Sequence, residues 1–161
     1  MRIAGTEFNL KYNALEIYFQ GCKDHPCEGC HNSILWPMEG GMELNAELLD
    51  KLDGYLDLPL VKRVWLLGGE PTDQPGEELL AFAQHCKNKG MEVWLWTHRK
   101  KGDIDVRLWE FIDYIKTGKY VKSFDSYVEP LFGIKLASLN QKISMVRHEG
   151  HEHIGNVRGR I

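Results

Sequence analysis

The sequence predicts an α/β protein in which parallel strands and crossover helices make an incomplete barrel with a C-terminal wrap. Three features point there. Apolar, β-branched segments alternate with segments of helical period through the first two-thirds of the chain, the pattern of βα units around a parallel sheet. The 161 residues suffice for one core but fall short of the roughly 250 that a closed eight-fold barrel takes. Three cysteines follow directly on the first strand, at the strand end where parallel α/β proteins place their sites.

The first strand is read at Leu15-Glu16-Ile17-Tyr18-Phe19, which is apolar, aromatic and β-branched and ends at Gly21-Cys22. After the cysteine loop, Leu44, Leu48, Leu49, Leu52, Tyr55 and Leu56 recur at helical spacing, with Asn45 as N-cap and Pro59 ending the run. A second strand spans Val61 to Leu67 and runs into Gly68-Gly69-Glu70-Pro71. The next helix carries Leu79, Phe82, Ala83 and Cys86 on one face and stops at Gly90. Met91 to Thr97 is a third strand, Asp105 to Phe111 a further helix, and Tyr114 to Thr117 a short fourth strand. From Lys119 the periodicity weakens, so the segment to about Ile143 is expected to wrap the sheet. One domain, residues 1–161, is expected, with its core at about 15–143 and a polar tail at 144–161.

Composition excludes several classes. The chain is 43% apolar and 27% charged, which is ordinary for a protein that buries a core. A net charge of -3 with no basic stripe argues against a nucleic-acid partner, and the short Arg99-Lys100-Lys101 run reads as a solvated loop. No stretch approaches the roughly 18 to 20 apolar residues of a membrane span, and the N-terminus lacks a signal-peptide core, so a cytoplasmic protein is expected. In that reducing compartment, three cysteines within nine residues point to metal or redox chemistry rather than to a disulfide.

Cys22-Lys23-Asp24-His25-Pro26-Cys27-Glu28-Gly29-Cys30 puts three thiolates on one compact loop. Iron-sulfur clusters usually take four thiolates, so three leave one iron able to bind something else. The alternative is a structural zinc site closed by His25 or His31, because zinc accepts mixed Cys and His sets. Gly68-Gly69-Glu70 is the second element: two glycines let a ligand approach the backbone, and Glu70 offers an acceptor for an ammonium group. Alone it would read as a strand-to-helix turn. Its placement after the strand that follows the cysteine loop makes the pair specific.

Phe19-Gln20-Gly21-Cys22, Cys27-Glu28-Gly29-Cys30-His31-Asn32 and Gly68-Gly69-Glu70-Pro71 together resemble the radical S-adenosylmethionine superfamily. Trp94-Leu95-Trp96-Thr97, Asp113 with Gly118-Lys119-Tyr120, and Ser138-Leu139-Asn140-Gln141-Lys142 narrow the resemblance to the anaerobic ribonucleotide reductase activating enzymes, over roughly Leu15 to Ile143. One departure stands out. Four residues separate Cys22 from Cys27, where the superfamily's usual motif has three, and the Pro26-containing loop is expected to absorb the extra one.

The resemblance implies an incomplete radical S-adenosylmethionine barrel and a 4Fe-4S cluster held by Cys22, Cys27 and Cys30. It further implies S-adenosylmethionine contacts at Gly29, His31, Gly68, Gly69 and Glu70, with His31 packing near the adenine. The implied activity is reductive cleavage of S-adenosylmethionine and transfer of the radical to a glycine of the anaerobic ribonucleotide reductase large subunit. A flavodoxin-like or other low-potential donor would supply the electron, and an open barrel side would admit the substrate loop. Two other readings stand beside it: a small radical enzyme with a small-molecule substrate, resembling 7-carboxy-7-deazaguanine synthase, and a non-catalytic, zinc-stabilised binding module.

Other conspicuous residues read as structural. His148, His151 and His153 lie in the polar tail and are expected to titrate in solvent. Cys86 is expected in the core as a small hydrophobe. Trp65, Trp94 and Trp96 alternate along strands and should line the barrel, with Trp96 bordering the cofactor; Asn140 and Gln141 are expected to hold the wrap.

Overall fold

The computed structural model describes residues 1–24, 27–124 and 132–146. One sheet of seven strands organises them: β1 (Arg2–Asn9), β2 (Ala14–Phe19), β3 (Met42–Glu43), β4 (Arg63–Gly68), β5 (Glu92–Trp96), β6 (Tyr114–Thr117) and β7 (Lys142–Met145). Their order is β3-β1-β2-β4-β5-β6-β7. The four central strands β2, β4, β5 and β6 are parallel, as the alternating pattern predicts. Antiparallel strands flank them, β1 and β3 on one side and β7 on the other.

Strand alternation splits the core into two layers. Leu15, Ile17 and Phe19 of β2, Val64 and Leu66 of β4, Val93 and Leu95 of β5 and Ile115 of β6 face one way and meet both helices. Helix α1 (Ala46–Leu56) contributes Leu48, Leu52 and Leu56; helix α2 (Gly76–Asn88) contributes Leu79, Phe82, Ala83 and Cys86. Each such leucine contributes about 1.5–3 kcal/mol through burial. Asn45 caps α1 as expected, its Oδ1 accepting from the Leu48 N–H at 2.9 Å. On the opposite face Trp65, Trp94 and Trp96 pack with Tyr12, Leu67 and Tyr114, beneath Ile134, Leu136 and Ile143 of the wrap. Trp94 stacks on Tyr114 at 4.1 Å, and Trp65 meets Trp96 at 4.9 Å.

The observed elements depart from the sequence reading in four places. The strand β1 precedes the expected core; a register shift between Ile3 and Gly5 breaks the alternation that would have revealed it. The short β3 is an edge pair set against β1. The helix expected at Asp105–Phe111 is a 3-10 segment, Val106–Glu110: the Asp105 carboxylate accepts from the Arg107 N–H, and Leu108 and Phe111 donate to carbonyls three residues back. Strand β7 runs to Met145, two residues beyond Ile143, because its pairing with β6 continues until Met145 stands opposite Tyr114.

Asn140 and Gln141 hold the wrap. Gln141 Oε1 accepts from Ala137 and Ser138 N–H groups, and Asn140 Nδ2 donates to the Lys119 carbonyl. The three tail histidines lie outside the described residues. Among the described residues, no helix is long and apolar enough to cross a membrane.

Candidate functional site

The end of β2 is pinned from several sides. Gln20 donates to the Pro37 carbonyl at 2.7 Å while its own carbonyl accepts from Gln74 Nε2 at 2.7 Å. The Gly21 and Cys22 N–H groups donate to the Leu35 and Trp36 carbonyls at 2.8 and 3.0 Å, so the chain after the cysteine loop folds back against the chain before it. The Lys23 N–H donates to Asp73 Oδ2 at 2.7 Å. Arg99 ties the same carboxylate to Asp24 and to Thr72 Oγ1. Arg99 is therefore not part of a solvated loop; it braces the cysteine loop from the end of β5.

A cavity of about 360 Å³ opens beside this loop, within the roughly 300–1,000 Å³ of small-molecule sites. Cys22, Cys27, Cys30 and His31 line one wall, and Gly68 and Gly69 another. Cys22 and Cys27 are buried and Cys30 is half-buried. Cys27 Sγ accepts from the Tyr120 N–H at 3.2 Å; burial pushes this thiol up, and that hydrogen bond works against it. Exposed His31 packs edge-on against Tyr120 at 5.4 Å. Gly29 is exposed in the loop with φ 71°. Among the described residues, no three His, Cys, Asp or Glu side chains form a group able to hold a single metal ion.

The Gly-Gly-Glu segment is shaped by its neighbour strand. A β-carbon on Gly68, whose φ is 115°, would stand 2.6 Å from the Phe19 nitrogen, and one on Gly69 would stand 2.2 Å from the Gly21 carbonyl oxygen. The backbone these glycines admit is that of β2 itself, while their outer face borders the cavity. The following Glu70 is fully buried. Its Oε1 accepts from Thr72 N–H and Oγ1 at 3.1 and 2.7 Å, and its Oε2 from the His98 N–H at 2.9 Å and from His98 Nδ1 at 2.7 Å. Burial would raise the Glu70 carboxyl, but the His98 and Thr72 hydrogen bonds outweigh it and hold it low. Burial likewise opposes charge on His98; hydrogen bonds to Cys22 and Glu70 overcome it and lift the imidazole to about 9.

Glu16, Tyr18, Trp65 and Trp96 line the same cavity. Glu16 accepts from Asn9 Nδ2 at 2.7 Å and from the Tyr18 hydroxyl at 2.5 Å. The indole nitrogens of Trp65 and Trp96 are buried without a hydrogen-bond partner among the described residues. Lys116 reaches in from β6 and donates to the Gly118 carbonyl at 2.9 Å; burial lowers it to about 8, against the pull of Cys27 and Glu70.

Sequence reasoning missed His98, Lys116 and Asp73. Lys116 had a visible signal, a charge on the tryptophan-bearing face of an otherwise apolar strand. His98 and Asp73 had none, since each matters through partners distant in sequence.

A family model described as a 4Fe-4S single cluster domain matches residues 13–144. The chain belongs to that family. Among curated relatives, the anaerobic ribonucleoside-triphosphate reductase-activating proteins of Salmonella typhimurium and Escherichia coli K12 are 29% and 26% identical over 114 residues, 66% of this chain and 73% of each relative. The pyruvate formate-lyase-activating enzyme of Clostridium pasteurianum is 40% identical over 82 residues, 48% of this chain and 33% of that enzyme. This 4Fe-4S single cluster protein is a radical S-adenosylmethionine enzyme of the activating type, with a 4Fe-4S cluster and S-adenosylmethionine as cofactors. The donor set fits such a group: three thiols share one small-molecule-sized cavity with a glycine-edged wall.

Proposed function

We propose that the chain activates an anaerobic ribonucleotide reductase by installing a glycyl radical on its large subunit. The observation that carries this reading is the shared cavity of Cys22, Cys27, Cys30, Gly68 and Gly69. The three cysteines would hold the cluster and leave one iron for the amino and carboxylate groups of S-adenosylmethionine. When bound, the cluster supplies the electron that breaks the sulfur to 5′-carbon bond, giving the 5′-deoxyadenosyl radical that takes a hydrogen atom from the partner's glycine.

The chain's own residues position and shield. Both oxygens of Glu70 are engaged, so the backbone at Gly68 and Gly69 is the nearer acceptor for the cofactor's ammonium group, and Glu70 acts by fixing that turn. His31 and Gly29 border the adenine side. Trp65 and Trp96 wall the inner cavity with aromatic rings, which offer no weak aliphatic C–H bond directly on their faces. The four parallel strands are read as an arc of an incomplete barrel: both helices cover one face, and the cavity opens on the other. A flavodoxin-like or other low-potential protein would deliver the electron.

The relatives named as reductase activators favour this partner. The test is anaerobic iron-sulfur reconstitution, dithionite reduction with S-adenosylmethionine, and assay of 5′-deoxyadenosine and methionine, followed by incubation with a candidate reductase. A glycyl radical signal in electron paramagnetic resonance supports the proposal. Cofactor cleavage without that signal would instead favour a small-molecule substrate, and stoichiometric zinc without cleavage would favour a binding module.

A further inference from the structure

We propose that Asp73 is a positioning residue for the cluster: its carboxylate, locked by Arg99, ties the first residues after Cys22 to the sheet, so that the place of the Cys22 thiol is set by the sheet and not by the length of the arm leading to Cys27. The proposal rests on the reading of Cys22, Cys27 and Cys30 as cluster ligands.

The carboxylate is held on both sides. Asp73 closes the one-turn 3-10 segment Pro71–Asp73 directly after Gly-Gly-Glu, with its own N–H donating to the Glu70 carbonyl at 3.0 Å. The residue is 6% exposed, and each oxygen has a donor: the Lys23 N–H gives to Oδ2 at 2.7 Å, and Arg99 Nη2 gives to Oδ1. Arg99 is fixed in turn. Its main-chain N–H donates to Thr97 Oγ1 at 3.0 Å, its Nε to Thr72 Oγ1 at 3.1 Å, and its Nη1 lies 3.3 Å from Asp24 Oδ2. One guanidinium therefore joins the turn after β4, the end of β5 and the arm leaving β2, a three-way contact for which its rigid fork of donors is suited.

The thiols at the two ends of the arm are thus fixed separately. Cys22 has its N–H on the Trp36 carbonyl at 3.0 Å, and the next N–H along the chain is on Asp73. Cys27 takes the Tyr120 N–H on its sulfur at 3.2 Å, and its carbonyl accepts from the Cys30 N–H at 3.2 Å. Four residues lie between Cys22 and Cys27, and a free arm of that length lets the two sulfurs drift apart, an entropy that any ligand needing both has to overcome. Binding Lys23 and Asp24 to the sheet removes that freedom in advance. Asp73 acts through the arm and need not touch the cluster.

The experiment measures iron release from reconstituted full-length protein to a chelator under anaerobic conditions, alongside amide hydrogen exchange of the cluster-free chain. Asp73→Asn keeps the size of the side chain but turns an NH2 group toward one of its two donors. Iron release is expected to be about tenfold faster, the equivalent of one charge-assisted hydrogen bond, while amide protection in α2 and β4 stays at the wild-type level. Arg107→Met, which breaks an exposed ion pair with Glu77 and Asp105, should leave release unchanged. Unchanged release in Asp73→Asn overturns the proposal, as does an equal rise in Arg107→Met. Faster release accompanied by lost protection throughout α2 and β4 also overturns it, since Asp73 would then stabilise the fold alone. Should Asp73→Asn fail to fold or to load, the wild-type Lys23 amide decides: protection in the cluster-free chain supports the brace, and exchange at the rate of an unstructured peptide overturns it. A wild-type chain that takes up no cluster sinks the ligand reading itself, whereas a loaded wild type with unchanged release in Asp73→Asn sinks only the role of Asp73.

Discussion

Gly69 lies against the Gly21 carbonyl so closely that a β-carbon at residue 69 would stand 2.2 Å from that oxygen. The contact is backbone on backbone, flanked by the Gly69 N–H to Phe19 carbonyl and Glu70 N–H to Gly21 carbonyl hydrogen bonds at 2.9 and 2.7 Å. Gly69→Ala must therefore spread β4 from the start of the cysteine loop. Overpacking and one weakened hydrogen bond together predict a loss of about 2–4 kcal/mol in urea unfolding of the cluster-free chain. Gly54→Ala, in α1 with nothing within 4 Å of its β-carbon, should instead gain about 0.5–1 kcal/mol. Equal effects at the two sites would refute the close-approach account.

Removing any one of the thiols of Cys22, Cys27 or Cys30 should abolish both the iron-sulfur absorbance and the formation of 5′-deoxyadenosine. The three line one cavity, whereas Cys86 sits fully buried between α2 and the sheet. Cys86→Ala should keep full iron content and cleavage. Retained cleavage in Cys27→Ala would remove that thiol from the ligand set.

The parallel strands and both helices were legible because each keeps a clean period: Leu15, Ile17 and Phe19 at two, Leu48, Leu52 and Leu56 at four. Strand β1 was hidden because its bulge at Ile3 to Gly5 shifts the alternation, and the 3-10 segment because its apolar spacing imitates a helix. The cysteine loop was legible as local chemistry. The Glu70–His98 pair was not, since it joins the ends of two strands through a contact 28 residues apart. Arg99 misled for the same reason: a basic tripeptide looks solvated until Asp73 and Asp24 are placed beside it.

Burial, helped by the nearby charge of Asp53, pushes the Cys86 thiol up to about 12. An unfolded thiol titrates near 8.5. The folded state thus binds the proton more tightly, so the associated stability is whole below about pH 8.5 and is lost as pH rises toward 12. Denaturant midpoints of the cluster-free chain should fall above pH 9, and Cys86→Ala should show a shallower fall. At pH 9 iodoacetamide should label half-buried Cys30 well before Cys86. Early labelling of Cys86 in folded protein would contradict its placement in the core.

The indole nitrogens of Trp65 and Trp96 are buried donors without partners among the described residues, and both rings border the cavity. A buried N–H left unpaired costs about 1–3 kcal/mol, a cost a folded chain sustains where a ligand atom completes the bond. Trp96 ends β5 next to Thr97 and His98 and lines the same cavity as the three cysteines, which makes its N–H a candidate donor to bound cofactor. Trp96→Phe keeps an aromatic ring and deletes the donor. Its stability should stay within about 1 kcal/mol of wild type, because the lost packing is offset by relief of the orphan group. Its dissociation constant for S-adenosylmethionine, read by calorimetry on the reconstituted protein, should rise about fivefold, the equivalent of one hydrogen bond of about 1 kcal/mol. If affinity is unchanged while stability drops by several kcal/mol, Trp96 is a packing residue alone, and the unpaired nitrogen serves no bound cofactor.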